Sequence, residues 1–177
     1  MIVLATKSQA RRRLLKKCKR NAIITVSNID EKRFVGESIV EYLLRVSFLK
    51  ALSVKRKNQI VIGADTVIYF DGRVIGKPKD REEAYQILSM LSGKIHQVYT
   101  GVSVISDKWC ERFVEVASVK VDKLTEDEIN SYLDTNEYMG RAAGYAIQGR
   151  ARHFMHLIEG DITTVIGLPM KRLCKII

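Results

Sequence analysis

Little in this sequence of 177 residues interrupts a chain or cross-links one: it has 2 prolines, 11 glycines and 3 cysteines. With so few breakers, no low-complexity tract and no repeat at solenoid or propeller spacing, it reads as one domain spanning 1–177. Cys18, Cys110 and Cys174 are far apart and form no CxxC pair, which gives neither a disulfide framework nor a zinc site and points to a reducing compartment. No run is apolar and long enough to cross a membrane, and MIVLATKSQARRRLL places its apolar residues ahead of its basic ones, the reverse of a signal peptide. A cytoplasmic location is expected. Walker, GxGxxG, HExxH and GxSxG patterns are missing too, which narrows the chemistry. His153 and His156 lack helical metal spacing, and with His96 they read as structural or exposed.

What is present is positive charge. Lysine and arginine number 30 against 20 acids, a net +10, which attracts an anion: nucleic acid, a membrane surface or a phosphorylated small molecule. Many of these charges also suit a merely solvated surface. The apolar fraction of 46% is that of a folded soluble protein.

Periodicity orders the elements. IVLAT reads as a short buried strand, Ser8 to about Arg20 as a basic helix and AIITVSN as a second strand. Glu37 to about Lys55 is a helix with Ile39, Val40, Leu43, Leu44, Ser47, Ala51 and Val54 on one broad face. IVIGADTVIYF is a central strand that turns at Asp71-Gly72, and REEAYQILSMLS is a helix with acids in its first turn. HQVYTGVSVIS and ERFVEVASVKVDKL alternate as a long antiparallel pair, and Thr125 with Glu128 forms a capping box. GYAIQG and HFMHLIEGD read as strands, with a short helix from Pro169. Helices alternating with strands, then strands dominating, predict a mixed α/β architecture.

Four places depart from a bland fold. TKSQARRR puts Ser8 and free N–H groups at a helix start, an anion site, while Arg11, Arg12 and Arg13 oppose the dipole unless an anion offsets them or they simply point to solvent. Lys50 lies inside the apolar stripe and must either snorkel or meet an anion. Asp65 sits inside the central strand and needs a cation, a metal or several hydrogen bonds. A two-residue loop would pair Phe70 with Arg73 and Thr66 with Lys77, bringing Lys77 within one residue of Asp65 but on the opposite face unless a bulge intervenes. Gly76 and Pro78 fix that lysine in an extended presentation; the Asp65 and Lys77 pair reads equally as a salt bridge or as catalysis. In AAGYAIQGRARHF, the amide of Gln148 offers the donor and acceptor that a base edge requires, or else it satisfies loop backbone.

Taken in order, LATKSQARRRLL, LRVSFLKA, IGADTV, GKPKDREEA, LSGKIHQVYTGV, AAGYAIQG and VIGLP resemble the blocks of the Maf family of nucleoside triphosphate pyrophosphatases, also called septum formation inhibitor Maf. The first of them is similar to the family's LASxSPRRxxLL, and the match runs over essentially the whole chain. The resemblance implies cleavage between the α and β phosphates with a divalent cation, Mg²⁺ or Mn²⁺. It implies a mixed, largely antiparallel elongated sheet flanked by helices, in two lobes around a cleft as in inosine triphosphatases, and a homodimer. Carried over by position, Asp65, Lys77, Lys50 and Glu31 are the catalytic set, with Asp65 and Glu31 as metal ligands. Asp65 either binds the metal or orients the attacking water. Ser8, Arg11, Arg12, Thr66 and Gln148 fall to the substrate. ADT and IQG are similar to members that prefer dTTP and UTP, whereas Ala10 stands where those members often have arginine, and Gln9 replaces a proline. The rival from another class is a basic nucleic-acid-binding or division-regulating protein, which predicts an exposed basic face with interleaved aromatics.

Overall fold

The computed structural model describes residues 1–17 and 21–177. In chain order the elements are β1 (Ile2–Ala5), α1 (Gln9–Lys17), β2 (Ala22–Thr25), α2 (Ile39–Val54), β3 (Ile60–Phe70), β4 (Arg73–Ile75), α3 (Arg81–Leu91), β5 (Ile95–Ile105), β6 (Cys110–Val121), α4 (Glu126–Leu133), β7 (Met155–Glu159), α5 (Ile162–Ile166) and α6 (Met170–Leu173). The strands follow the order β2-β1-β3-β5-β6-β7, with β4 attached to β3. β1 runs parallel to β2 and β3, whereas β4 and β7 run antiparallel to β3 and β6, so the sheet is mixed as expected. The chain divides into two compact units.

The first unit holds Met1–Thr66, Tyr99–Glu115 and Asp161–Ile177. β1 has hydrogen-bonded neighbours on both sides, and its Val3, Leu4 and Ala5 are all buried, which explains an uninterrupted apolar run. Alternation splits that run between two faces. Leu4, Ile62 and Ala64 join Leu14, Leu15 and Leu173, the core under α1 and α6. Val3, Ala5 and Val61 join Ala51 of α2 on the other. Helix α2 lies directly on the strands because two positions there have no side chain. A Cβ at Gly63 would collide with the Ser47 carbonyl and approach Ala51 N to 2.8 Å, and one at Gly101 would meet Leu43 Cβ at 2.7 Å. Ser38 caps α2 in a reciprocal box with Glu41, which starts the helix two residues later than Glu37. Its buried face is Leu43, Val46, Ser47, Lys50 and Ala51, so Lys50 does lie in the inward stripe, whereas Val40 is exposed. Ser8 caps α1, its Oγ accepting from Arg11 N at 3.3 Å, and the expected end of that helix at Arg20 lies outside the described residues.

The second unit holds Val67–Val98 and Val116–Gly160. Asp71 and Gly72 both take positive φ, 49° and 77°, the conformation of a tight hairpin that matches strand twist. Phe70 pairs with Arg73 as expected, but the ladder stops at Ile68 with Ile75, so Lys77 never returns alongside Thr66. The chain is diverted because Gly76 O accepts from Ala143 N at 2.8 Å, and Pro78 has no N–H to continue a ladder. The expected strand GYAIQG is also overturned. Gly144 ends a 3-10 turn at φ 69°, Tyr145 and Ala146 join no strand, and 147–149 turns with Gly149 N donating to Ala146 O at 2.9 Å. The Thr125 and Glu128 capping box of α4 forms as read, and Asp80 caps α3.

The cysteine spacing misled in one respect: Cys174 is disulfide-bonded. Separation along the chain says nothing of proximity in the fold, which is what a bridge requires. Cys110 is free and exposed, and Cys18 lies outside the described residues.

His96 is a structural histidine, buried with Nε2 at 2.6 Å from the Tyr145 hydroxyl. Burial pushes its pKa down to about 4. Between that value and its unfolded pKa near 6.5 the unfolded chain binds the extra proton, so stability is complete above about pH 6.5 and falls as pH drops toward 4. Urea unfolding should therefore show roughly 2 kcal/mol less stability at pH 5 than at pH 7 from this residue, a slope that His96→Gln removes.

Candidate functional site

In β3, Asp65 falls on the face of Val61 and Gly63, turned to α2, and Thr66 falls on the face of Ile62 and Ala64, turned to α1. Two adjacent residues thereby enter two different networks.

On the α2 side, Lys50 Nζ donates to Asp65 Oδ1 at 2.7 Å and lies 3.0 Å from Glu31 Oε2. Lys50 is 7% exposed and Asp65 8%, so the pair is buried, and the lysine meets an anion rather than snorkelling. Glu31 closes the cluster from the loop after β2, with its side chain half exposed. Tyr42 lies on the same side of α2; burial foremost, then the charges of Asp65 and Glu31, push its pKa up. Sequence reading missed Tyr42, although Tyr42, Val46 and Lys50 stand at i, i+4 and i+8 of one helix face. Two carboxylate oxygens within 3.0 Å of one nitrogen form a hard oxygen donor pair that fits a divalent cation. Among the described residues no group of three or more metal-binding side chains exists.

On the α1 side, Arg11 spreads its guanidinium over three acceptors: Nε to Gly167 O at 2.7 Å, Nη1 to Ala64 O at 2.9 Å and Nη2 to Thr66 Oγ1 at 2.9 Å. One hydrogen on each terminal nitrogen is left for an anion. Thr100 donates to Thr164 O at 2.8 Å, so the 2.8 Å contact between Thr66 and Thr100 must have Thr66 as donor. A directed chain results, Arg11 to Thr66 to Thr100 to the Thr164 carbonyl. Burial lowers the Arg11 pKa, and the charges of Asp65 and Glu31 oppose that shift. Arg12 reaches the Thr6 carbonyl at 3.4 Å through Nη2, and its buried Nε has no partner among the described residues. Ser8 N donates to Thr6 Oγ1 at 3.1 Å. Thr100 and Thr164 carry no signal of their own in sequence, being ordinary threonines in apolar stretches.

Ser8, Arg11, Arg12, Glu31, Lys50, Asp65 and Thr66 thus belong to the first unit. Lys77 and Gln148 belong to the second, both exposed. Their segments are neighbours there, since Ala143 N holds Gly76 O, and a Cβ at Gly144 would stand 3.4 Å from Pro78 Cγ. Gly149 rests against the Glu137 carboxylate, and Glu137 Oε2 accepts from Arg150 N at 2.8 Å.

The family model for Maf-like proteins matches residues 1–177. The chain is 41% identical to the dTTP/UTP pyrophosphatase of Thermoanaerobacter sp. (strain X514), covering 99% of this chain and 94% of that one. It is 42% identical to the enzyme of the same name from Alkaliphilus oremlandii, covering 97% and 92%, and 38% identical to that from Bacillus cereus (strain G9842), covering 98% and 92%. Among solved structures, a HAM1 protein from Coxiella burnetii shares the fold with a TM-score of 0.55 at 15% identity, covering 99% of this chain and 96% of that one.

The buried pair makes a stability prediction independent of activity. Lys50→Met strands the Asp65 charge and should cost about 3 kcal/mol in urea unfolding, whereas Lys50→Met with Asp65→Asn, which removes both charges, should cost less than the single change.

Proposed function

Because the chain belongs to the Maf-like family, we propose that it hydrolyses nucleoside triphosphates between the α and β phosphates, with dTTP and UTP as substrates, releasing the monophosphate and pyrophosphate. Relatives at about 40% identity over nearly their full length carry the name dTTP/UTP pyrophosphatase. The observation that carries the reading is the buried Lys50–Asp65 pair, which half-exposed Glu31 joins from the surface, a costly burial of charge that a purely structural core has no reason to keep.

The roles follow from the chemistry of the groups. Water attacks the α phosphorus, the bond to the bridging oxygen breaks, and pyrophosphate leaves with the electron pair. Asp65 and Glu31 would hold Mg²⁺ or Mn²⁺, which when bound neutralises phosphate oxygens and the charge growing on the leaving group. The attacking water gives its proton to one of these two carboxylates. Lys50 holds both carboxylates in place. Arg11 presents its two spare N–H groups to phosphate, with Ser8 at the start of α1 and Arg12 beside it. Thr66 holds Arg11 in that attitude. In the second unit, Lys77 is the proposed phosphate contact and Gln148 the proposed reader of the pyrimidine edge. We further propose a single functional domain that acts in the cytoplasm as a homodimer, which light scattering on the purified chain would check. No helix among the described residues is long and apolar enough to cross a membrane.

Purified protein with Mg²⁺ or Mn²⁺ should release pyrophosphate from dTTP and UTP faster than from purine nucleotides. Asp65→Asn should lower that rate about 100-fold or more, and Lys77→Ala by about tenfold. Gln148→Ala should slow pyrimidines more than purines. No release from any nucleotide, with tight salt-sensitive DNA binding, would instead assign the net charge of +10 to nucleic acid.

A further inference from the structure

Of the groups at the cluster, Glu31 has the least to hold it. It lies in the loop between β2 and α2, half exposed, and has neither strand nor helix beneath it. The next residues, however, are tightly bound to α2 through one side chain that no role above uses. Arg45 grips the Glu37 carboxylate with both arms, Nε to Oε1 at 2.6 Å and Nη2 to Oε2 at 2.8 Å. Its Nη2 also donates to Lys32 O at 3.0 Å, and its guanidinium lies 4.0 Å over the Phe34 ring. Glu37 in turn accepts from Phe34 N at 3.1 Å and donates its own N–H to Phe34 O at 3.2 Å, while Arg33 donates to the Glu37 carbonyl.

We infer that Arg45 is a positioning residue: by locking residues 32–37 against α2 it sets where Glu31 meets Lys50. This rests on the catalytic reading of Glu31 and extends it by one residue. An ordinary surface ion pair contributes little, being solvated and mobile. This one is different in kind. The bidentate fork fixes orientation as well as distance, the side chains are only 23% and 9% exposed, and the carbonyl and ring contacts leave the loop one arrangement. Arg45 and Lys50 are five residues apart on the same rigid helix, so the anchor of the loop and the lysine that Glu31 touches move together.

Steady-state hydrolysis of dTTP with Mg²⁺ separates this from a general structural role. Arg45→Ala should lower kcat about tenfold with KM within about threefold, and should add nothing further in a Glu31→Gln background, because both changes remove the same placed carboxylate. Arg45→Lys, which keeps the charge but not the fork, should stay closer to Arg45→Ala than to the wild type. Amide hydrogen exchange should rise for residues 32–37 in Arg45→Ala and not in β1 or β3. A tenfold loss that persists in the Glu31→Gln background, a rise in KM instead of a fall in kcat, or unchanged exchange would each overturn the inference. If the wild-type chain hydrolyses no nucleotide, the functional reading falls, and the exchange result alone then decides whether Arg45 holds the loop.

Discussion

The seat of α2 on the sheet is the constraint from which the site follows. Gly63 and Gly101 offer the helix bare backbone, and the helix settles until Leu43, Ser47 and Ala51 touch the strands. At that separation an ammonium from the next turn reaches a carboxylate in the strand, and Lys50 meets Asp65 at 2.7 Å. A side chain at either glycine would force the helix outward by more than the length of a hydrogen bond's tolerance, since bonds of this kind weaken steeply beyond about 3.2 Å. Core packing and site chemistry are therefore one problem in this unit. The hydroxyls of Ser47 and Ser103 lie 2.8 Å apart at this contact, and Ser47 also donates to the Leu44 carbonyl at 3.3 Å, so these polar groups find partners within the protein.

Charges at this cluster also answer one another across the strand. Asp65 projects to α2 and Thr66 to α1, yet Arg11, bound to Thr66 and the Ala64 carbonyl, still feels the Asp65 and Glu31 carboxylates strongly enough to oppose its own desolvation. Two cations and two anions so arranged are neutral together, which lets the cluster stay buried without an external ion. A polyanion would disturb that balance, and a divalent cation carried with it would restore it.

How much of this was legible in the sequence depends on whether the signal was local. The anomalies Lys50 and Asp65 stood out because each violated its own element's pattern, one a lysine in an apolar stripe and the other an acid in a buried strand, and they do meet. Caps at Ser8 and Thr125 and the hairpin at Asp71-Gly72 were legible for the same reason, being decided by neighbours in sequence. Lys77 and GYAIQG were misplaced because a contact distant in sequence overrides the ladder. Ala143 N binds the Gly76 carbonyl and draws the chain away from β3, and Gly144, the first residue of the expected strand, takes φ 69°. Thr100 and Thr164 were invisible, since a threonine in a strand or short helix has no irregularity to betray it. The Cys174 bridge was invisible likewise.

The same distinction separates the two kinds of residue in the site. Groups that bear charge at buried positions announce themselves, because their burial is unfavourable unless something in the fold or a ligand compensates. Groups that merely orient them are cheap to place and look ordinary. Thr100, which accepts from Thr66 beneath Arg11 and donates to the Thr164 carbonyl, is of this second kind. Such a residue is found only by asking what keeps a charged group from choosing another rotamer. For Asp65 the answer is the Lys50 ammonium, which rides on α2. The geometry of the carboxylate is then as rigid as the packing of α2 on Gly63 and Gly101, and a nucleotide's phosphates would meet a carboxylate already aimed by the core.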